Sequence, residues 1–315
     1  MTQGLTSIPG IKVGIVSDLE AATGVTVVLA EGGAYGAVEV RGSAPGTRET
    51  DLLRPGQLVE QVQAILLAGG SAFGLNAAAG VMRYLEEENQ GFPVGPYNIP
   101  IVPGAVLFDL FIGSGDVRPD EEMGYQACRE SSSLPVPEGS VGAGTGATVA
   151  KISGPLQAVK SGQGSAAVLS NGLIVAALVV VNAFGDVYDR QGNLLAGPRD
   201  PGTMKMQKTL DLLVSNENPG FPGNTTLAVV ATNANIKDAA LTKICQMAHD
   251  GLARSIWPVH TMWDGDTVFA LSKGNVNADV NLVGLLAAEA VSSAVERAVQ
   301  KAETLCGIPA ASELE

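Results

Sequence analysis

Apolar residues along the chain fall into short runs separated by turn residues. Runs that are rich in β-branched residues and bounded by Gly, Asn or Asp predict β-strands. The predicted strands are residues 12–16, 24–29, 37–41, 64–68, 166–169, 173–181, 226–231 and 267–271. The run at 64–68 is apolar at every position, which is typical of a strand covered on both faces. Asn171-Gly172 separates two of the runs and predicts a hairpin turn.

Apolar residues at helical spacing predict helices between these strands. We expect helices at 73–88, within 204–213 and, as a long buried helix, at 279–305. A further helix is expected after Asn235, which can cap it, with Asp238 in the first turn. Because helices alternate with strands, the pattern predicts a layered α/β architecture.

Two segments are predicted to be loops. Residues 91–104 contain four prolines, and residues 196–223 are rich in Gly, Pro and Asn. The second segment is interpreted as a long flexible connector. Such a connector would expose the backbone bond at its end, as a processing loop requires.

Composition and charge narrow the classes of function. Of the 315 residues, 46% are hydrophobic and 16% are charged, which provides a large core for one large domain or two smaller ones. The net charge of −13 repels phosphate groups, so nucleic acid and anionic membrane surfaces are poor partners. A cationic or amine-bearing substrate is compatible with this charge.

Cysteine and histidine usage suggests a reduced, cytoplasmic protein without a metal site. The three cysteines are Cys128, Cys245 and Cys306. They are odd in number and widely spaced, as is typical of free thiols in a cytosolic protein. Neither His249 nor His260 lies in a metal-ligand motif. The N-terminal residues show no secretory pattern, and the longest apolar run, 173–181, is too short to span a bilayer.

Asn224-Thr225 is the most informative dipeptide of the chain. It lies in Phe221-Pro222-Gly223-Asn224-Thr225-Thr226, where a glycine-loosened turn leads directly into a predicted strand. If the backbone breaks before Thr225, the new terminal residue carries a hydroxyl nucleophile and an amine base. The alternative is a plain turn, with threonine favoured by its β propensity. The segment also matches the N-glycosylation pattern, which has little weight without a secretory signal.

Two glycine-rich stretches approach known motifs but lack the required context. Gly142-x-Gly144-x-x-Ala147 fits a dinucleotide fingerprint, yet no clear strand precedes it and no suitably spaced acidic residue follows. Gly69-Gly70-Ser71-Ala72-Phe73 approaches a nucleophile elbow, but Phe73 stands where glycine is required. Both stretches are therefore predicted to be structural turns.

Several polar residues could complete a site around Thr225, and each has a plainer alternative. Asp264-Gly265-Asp266 places two carboxylates before a strand, where they could orient the threonine or protonate a leaving amine. The alternative is a solvated acidic turn. Asn182 ends a predicted strand and could donate to an oxyanion, or it could be a turn residue. Lys151 could be a cation beside the site or a solvated lysine.

An ordered set of segments resembles one family along nearly the whole chain. The segments are residues 45–53, 67–75, 142–147, 224–226 and 264–269. Together they are similar to the L-aminopeptidase/D-esterase and β-aminopeptidase family, which also contains the nylon-oligomer hydrolases. The aminopeptidase branch has a Ser-x-Glu pattern where this chain has Asp264-x-Asp266. With Asn-Thr at the candidate cleavage point, the chain most resembles the branch of 6-aminohexanoate oligomer endo-hydrolases.

The resemblance implies a fold and a processing event. The fold would be α/β, a four-layered αββα sandwich similar to that of N-terminal nucleophile hydrolases but connected differently. The single domain, 1–315, would cut itself into a larger chain, 1–224, and a smaller chain, 225–315. These chains would stay together, and the processed units would assemble as a homotetramer.

The resemblance also implies roles for individual residues. The nucleophile would be Thr225, Asn182 would lie near the oxyanion, and Lys151 would lie beside the site. The acidic pair would be Asp264 and Asp266. Some members of the family place a tyrosine hydroxyl in the site at the position aligned with Phe108, so one hydrogen bond to the oxyanion or amine would be missing here.

The expected function is therefore that of a self-activated amide hydrolase. It would act on short peptides or ω-amino-acid (nylon-type) oligomers through an acyl-enzyme, and it would need no metal or organic cofactor. Two alternatives remain open at this point. One is an acyltransferase of the ornithine acetyltransferase type, and the other is a non-enzymatic binding protein.

Overall fold

The computed structural model describes residues 4–215 and 223–314. The strands are β1 (Ile11–Asp18), β2 (Thr23–Val40), β3 (Gly46–Arg48), β4 (Gln61–Ala68), β5 (Phe92–Val94), β6 (Tyr97–Ile99), β7 (Gly104–Val106), β8 (Thr148–Val149), β9 (Val159–Lys160), β10 (Gln163–Ser170), β11 (Leu173–Asn182), β12 (Asp186–Tyr188), β13 (Leu194–Ala196), β14 (Thr225–Ala234), β15 (Ile256–Trp257) and β16 (Thr267–Val276). The helices are α1 (Ala77–Glu87), α2 (Glu121–Arg129), α3 (Thr209–Val214), α4 (Asp238–Ser255) and α5 (Val280–Gln300). Part of the predicted connector, residues 216–222, lies outside the described residues, and so does Phe221-Pro222 of the candidate cleavage segment.

A nine-stranded mixed sheet forms the centre of the described structure. Its strand order is β10-β11-β14-β16-β2-β4-β7-β3, and β1 also pairs with β2. The pairs β14–β16 and β4–β7 are parallel, and the other neighbours are antiparallel. The turn at Asn171-Gly172 joins β10 to β11, as predicted.

The long strand β2 folds this sheet onto itself. Its first half pairs with β1 and β4, and its second half pairs with β16. At the bulge between the halves, Gly32 and Gly33 have φ of 70° and 84°. Glycines in this region of φ let one strand bend from one layer into the next. The prediction of separate strands at 24–29 and 37–41 was therefore wrong, because the segment is one strand of 18 residues.

Alternate side chains of the sheet face different cores. Leu178 of β11 lies between the two halves of the sheet, in one core with Ile65 of β4. The next residue, Val179, lies in a second core with α4 and α5. On the opposite side, Leu66 of β4 packs in a third core with α1 and α2. The layers therefore follow the order helices, sheet, sheet, helices, which confirms the predicted four-layered αββα sandwich.

Several element boundaries differ from the prediction. Lys237, not Asn235, is the N-cap residue of α4. The N–H of Asn235 instead donates to Val276 O at 2.9 Å, which extends the pairing of β14 with β16. The last helix ends at Gln300 rather than at 305. Within 91–104, strands β5 and β6 form a hairpin.

Helix α2 was not predicted, and the short helix expected within 204–213 begins only at Thr209. None of the helices in the described ranges combines the length and the apolar composition that crossing a membrane requires.

Candidate active site

The antiparallel pairing of β11 with β14 brings two predicted site residues together. Asn182, the last residue of β11, lies directly opposite Thr225, the first residue of β14. Both are buried, with 0% and 4% of their surfaces exposed. The ends of two central strands therefore hold an amide and a hydroxyl in one fixed position.

The carbonyl of Asn224 is held by two donors. Its oxygen accepts a hydrogen bond from the backbone N–H of Gly265 at 2.8 Å and one from the Thr225 hydroxyl, Oγ1, at 2.5 Å. The N–H of Asn224 donates to Trp263 O at 3.2 Å. Donors on a carbonyl oxygen withdraw electrons from its carbon and favour attack by a nucleophile. The Thr225 hydroxyl and the N–H of Gly265 therefore share the carbonyl oxygen of the peptide bond between Asn224 and Thr225.

Two glycines allow the backbone to approach closely here. A Cβ atom at Gly265 would lie 2.7 Å from Ala44 O and 2.8 Å from Thr225 Oγ1. Gly223 has φ of +106°, and a Cβ there would lie 2.9 Å from atoms of the Phe108 ring. Any larger residue at 265 would compete with the threonine hydroxyl for the same space.

The side-chain amide of Asn182 is oriented by four contacts. Its Nδ2 donates to Phe108 O at 3.0 Å and to Gly223 O at 3.4 Å. Its Oδ1 accepts from Lys151 Nζ at 2.7 Å and from Thr148 N at 3.1 Å. Because oxygen and nitrogen each have suitable partners, the amide presents its donor hydrogens toward the residues that precede Thr225.

Lys151 is a buried cation that contacts the amide rather than solvent. Its Nζ donates to both the side-chain and the backbone oxygen of Asn182, at 2.7 and 3.0 Å. Burial lowers the pKa of Lys151 to about 7, against the opposing charges of Asp264 and Asp109. Lys151 is buried, so the interpretation of it as a solvated lysine was wrong, and its ammonium group contacts Asn182.

The two aspartates of the acidic pair have separate partners. Asp264 accepts from Thr261 Oγ1 at 2.5 Å, Thr261 N at 2.9 Å and Phe184 N at 3.3 Å. Burial, and then the charge of Asp266, raises the pKa of Asp264 to about 6. Asp266 accepts from Thr226 N at 2.7 Å. Both carboxylates are buried, so the solvated acidic turn is excluded.

Within the described part of the chain, neither carboxylate makes a hydrogen bond to Thr225. The pair instead fixes the loop that carries Gly265 and the start of β14. Its predicted contact with the threonine hydroxyl is not seen in this uncut chain.

Phe108 contributes its backbone and its ring in different ways. Its carbonyl oxygen accepts from Asn182 Nδ2. Its ring packs against that of Phe111 with centroids 5.0 Å apart, and 61% of the Phe111 surface is exposed. A phenylalanine ring has no hydroxyl, so it offers no hydrogen bond to an oxyanion. A cleft beside the site is lined by Phe108, Asp109, Phe111, Ile112, Thr148, Lys151 and Pro155.

Sequence reasoning missed three residues of this region: Asp109, His260 and the role of Gly265. Asp109 is buried, accepts from Gly70 N at 2.7 Å and from Thr23 Oγ1 at 2.8 Å, and has a pKa that burial raises to about 6. His260 bonds to Asp266. The role of Gly265 could have been predicted from its position between two aspartates. Asp109 and His260 do not lie in any recognisable sequence motif.

The two glycine-rich stretches are structural turns, as predicted. Gly142–Gly144 forms a buried 3-10 turn, and Lys160 Nζ donates to carbonyl oxygens of Gly144 and Ala147. Ser71 starts another 3-10 turn, with its N–H bonded to Leu107 O at 2.9 Å. Residues 4–215 and 223–314 contain no group of His, Cys, Asp and Glu side chains suited to a metal ion.

Comparison with known proteins places the chain in a family. Residues 3–311 match the family described as peptidase family S58. An uncharacterized aminopeptidase of Mycobacterium leprae is 42% identical over 340 residues, which cover 97% of this chain and 92% of that protein. The chain belongs to peptidase family S58. It is therefore a hydrolase of the peptidase or amidase type.

One further relative and one solved structure are also similar to this chain. A 6-aminohexanoate-oligomer endohydrolase of Kocuria sp. is 31% identical over 310 residues, with 93% of this chain and 84% of that protein covered. The solved L-aminopeptidase D-Ala-esterase/amidase of Ochrobactrum anthropi superposes with a TM-score of 0.73 at 18% identity, over 97% and 88% of the two chains. That structure is described as a variant of the Ntn hydrolase fold, so the fold expected from the resemblance is confirmed.

Proposed function

We propose that this S58 peptidase cleaves its own Asn224–Thr225 bond and then uses Thr225 as an N-terminal nucleophile. The observation that carries the proposal is the environment of the Asn224 carbonyl oxygen. It lies 2.5 Å from Thr225 Oγ1 and 2.8 Å from Gly265 N. The proposed nucleophile is therefore next to the carbonyl that it would attack, and a fixed donor at the oxygen would stabilise the negative charge that develops there.

Self-cleavage would proceed by an N-to-O acyl shift. Thr225 Oγ1 attacks the carbonyl carbon of Asn224, and the N–H of Gly265 stabilises the negative charge on the carbonyl oxygen. The C–N bond breaks, and the nitrogen of Thr225 takes up the proton that left the hydroxyl. Water then hydrolyses the resulting ester, which leaves a carboxylate on Asn224 and restores the hydroxyl of Thr225.

The mature site would use the same groups on a substrate. The new α-amine of Thr225 has a reference pKa of about 7.7–8.0, so it can accept the hydroxyl proton near neutral pH. Asn182 Nδ2 donates to both Phe108 O and Gly223 O in the uncut chain. If Gly223 withdraws after cleavage, one of these hydrogens becomes available for the oxyanion of a substrate amide. Lys151 keeps the amide of Asn182 in the required orientation.

Short peptides and ω-amino-acid oligomers are the proposed substrates. The support comes from the relatives, which are named as an aminopeptidase and a 6-aminohexanoate-oligomer endohydrolase. The apolar side chains of Phe108, Phe111 and Ile112 lie beside the site and could contact the methylene groups of such chains. From the resemblance we also propose that the processed units form a tetramer, which light scattering would test. We further propose that the protein is cytoplasmic.

Substitution of Thr225 tests the nucleophile. Thr225→Ala should remain a single chain on a denaturing gel and should not hydrolyse a short peptide or a 6-aminohexanoate oligomer. Thr225→Ser keeps a hydroxyl and should still be cut. Hydrolysis by an uncut Thr225→Ala chain would show that another residue is the nucleophile. Product partition with an added amine acceptor distinguishes hydrolysis from acyl transfer.

A further inference from the structure

His260 makes two hydrogen bonds to the same oxygen of Asp266. Its ring nitrogen Nδ1 lies 2.7 Å from Asp266 Oδ2, and its backbone N–H donates to that oxygen at 3.0 Å. The residue has φ of +57°, a conformation that residues other than glycine adopt rarely. Backbone strain of this kind persists only where surrounding contacts maintain it. The hydrogen bonds to Asp266 therefore stabilise an unfavourable backbone conformation at His260.

The other oxygen of Asp266 connects His260 to the start of β14. Asp266 Oδ1 accepts from the backbone N–H of Thr226 at 2.7 Å, and the side chain is fully buried. A buried carboxylate is stable only when donors compensate for its lost hydration. Asp266 therefore joins the imidazole of His260 to the residue that follows Thr225.

His249 lies beside His260 but forms its hydrogen bond elsewhere. His249 Nε2 lies 3.0 Å from Glu39 O, and a carbonyl only accepts, so this nitrogen carries the hydrogen. The two rings meet edge to face with centroids 4.8 Å apart. In the described part of the chain, His249 Nδ1 and His260 Nε2 are buried and have no hydrogen-bond partner. Asp266 is thus the side chain to which the His260 ring is bonded.

We propose that His260 is a positioning residue that holds the Asp266 carboxylate against the N–H of Thr226 and so fixes Thr225 for reaction. This inference rests on the proposed function above. Nucleophilic attack depends on the placement of the reacting atoms, and a displacement of about 1 Å lowers a rate by roughly 100-fold. His260 acts on the threonine through Asp266 and does not touch the reacting atoms.

Substitutions at 260 test the donor. Self-cleavage of the full chain would be followed by intact mass during cell-free synthesis. His260→Ala should be cut roughly 10- to 100-fold more slowly than the wild type. His260→Asn places an amide N–H near the position of Nδ1 and tolerates positive φ, so its rate should lie within about 3-fold of the wild type. His260→Gln cannot place its amide there and should remain slow.

A double-mutant cycle shows whether the effect passes through Asp266. Asp266→Asn keeps an oxygen for Thr226 but loses the acceptor for the imidazole, so it should also be slow. His260→Ala should then slow the Asp266→Asn chain no further. Additive effects, or a His260→Ala chain cut at the wild-type rate, would overturn the inference. If His260→Ala does not fold, the comparison of Asn with Gln at this position decides.

The wild-type control separates this inference from the proposed function. If the wild type is not cut before Thr225, the proposed function fails. If the wild type is cut and the substitutions at 260 have no effect, only the role of His260 fails.

Discussion

The backbone N–H of Gly265 donates a 2.8 Å hydrogen bond to the carbonyl oxygen of Asn224. The same carbonyl oxygen is the acceptor for the Thr225 hydroxyl. The loop between β15 and β16 therefore supplies a donor to the bond that is proposed to break. Asp264 and Asp266 flank this glycine and anchor the loop, which assigns them a structural task in the uncut chain.

Replacing Gly265 with alanine should slow self-cleavage. The new Cβ would lie 2.8 Å from Thr225 Oγ1 and 2.7 Å from Ala44 O, so the hydroxyl or the loop must move. Loss of one oxyanion donor lowers a rate by about 100- to 1,000-fold, and we expect the self-cleavage rate of Gly265→Ala to decrease by a factor in this range. The rate is measured by intact mass. Gly202→Ala is the control, because its Cβ would meet only Asp200 Oδ1 at 3.5 Å. Equal rates for both variants would contradict the role of Gly265.

The two buried lysines should have different effects when replaced by methionine. Lys151 donates to Asn182, whereas Lys160 donates to the carbonyl oxygens of Gly144, Ala147 and Ser161. Lys151→Met frees the Asn182 amide and should slow self-cleavage by roughly 10- to 100-fold. It also removes a donor from two buried oxygens of Asn182, so the melting temperature should fall as well.

Lys160→Met should lower the stability without slowing self-cleavage. It leaves buried carbonyls without their donor, which costs on the order of 2 kcal/mol in the free energy of unfolding. The chains that fold should still be cut at the wild-type rate. Self-cleavage half-life and thermal melting of both variants test the pair. If Lys160→Met is cut slowly but has a normal melting temperature, the assignment of Lys160 to stability rather than to the site is contradicted.

Self-cleavage should slow as the pH falls through about 6. The pKa of Asp264 is raised to about 6, mainly by burial, and its hydrogen bonds from Thr261 and Phe184 are stronger to the ionised carboxylate. Protonation below that pH weakens the loop that places Gly265. Asp264→Asn should be slower at neutral pH and should lack this step. A step near pH 6 that persists in Asp264→Asn would assign it to another group.

Asp109 should make the stability of the wild type depend on pH between about 4 and 6. Burial raises the pKa of this carboxyl from 3.8 to about 6. The folded chain therefore binds the proton more tightly than the unfolded chain. Ionisation of this group costs stability as the pH rises through this window, and the cost is constant above it. Relative to Asp109→Asn, the wild type should gain up to roughly 3 kcal/mol in the free energy of unfolding as the pH falls. Between pH 7.5 and pH 5, urea unfolding of both chains should show about 1.4 kcal/mol of this gain, because pH 5 lies about one unit below the folded pKa. An unchanged difference would contradict this account.

The pattern of apolar residues predicted most of the fold because buried strands and helices leave periodic signals. It did not predict that β2 is continuous, because the bulge at Gly32 and Gly33 has the composition of a turn. Helix α2 was missed because its first turn is acidic and its apolar stripe is short. Asn235 has the composition of a helix cap, yet pairing with β16 continues to that residue.

The candidate site was predicted mainly through the family resemblance. Thr225 and Asn182 each lie at the end of a predicted strand, but their opposition depends on the register between β11 and β14. Local sequence does not specify that register. Asp109 contacts Thr23 and Gly70, which are distant in sequence, and His260 contacts Asp266 within one loop. The sequence around neither residue forms a motif that predicts these contacts.

N-terminal sequencing of the purified, active wild-type protein tests the central claim most directly. Self-cleavage between Asn224 and Thr225 predicts two chains in equal amounts, one of which begins Thr-Thr-Leu-Ala-Val. A single uncut chain that hydrolyses its substrate at full rate, or a second chain that begins at another residue, would contradict it.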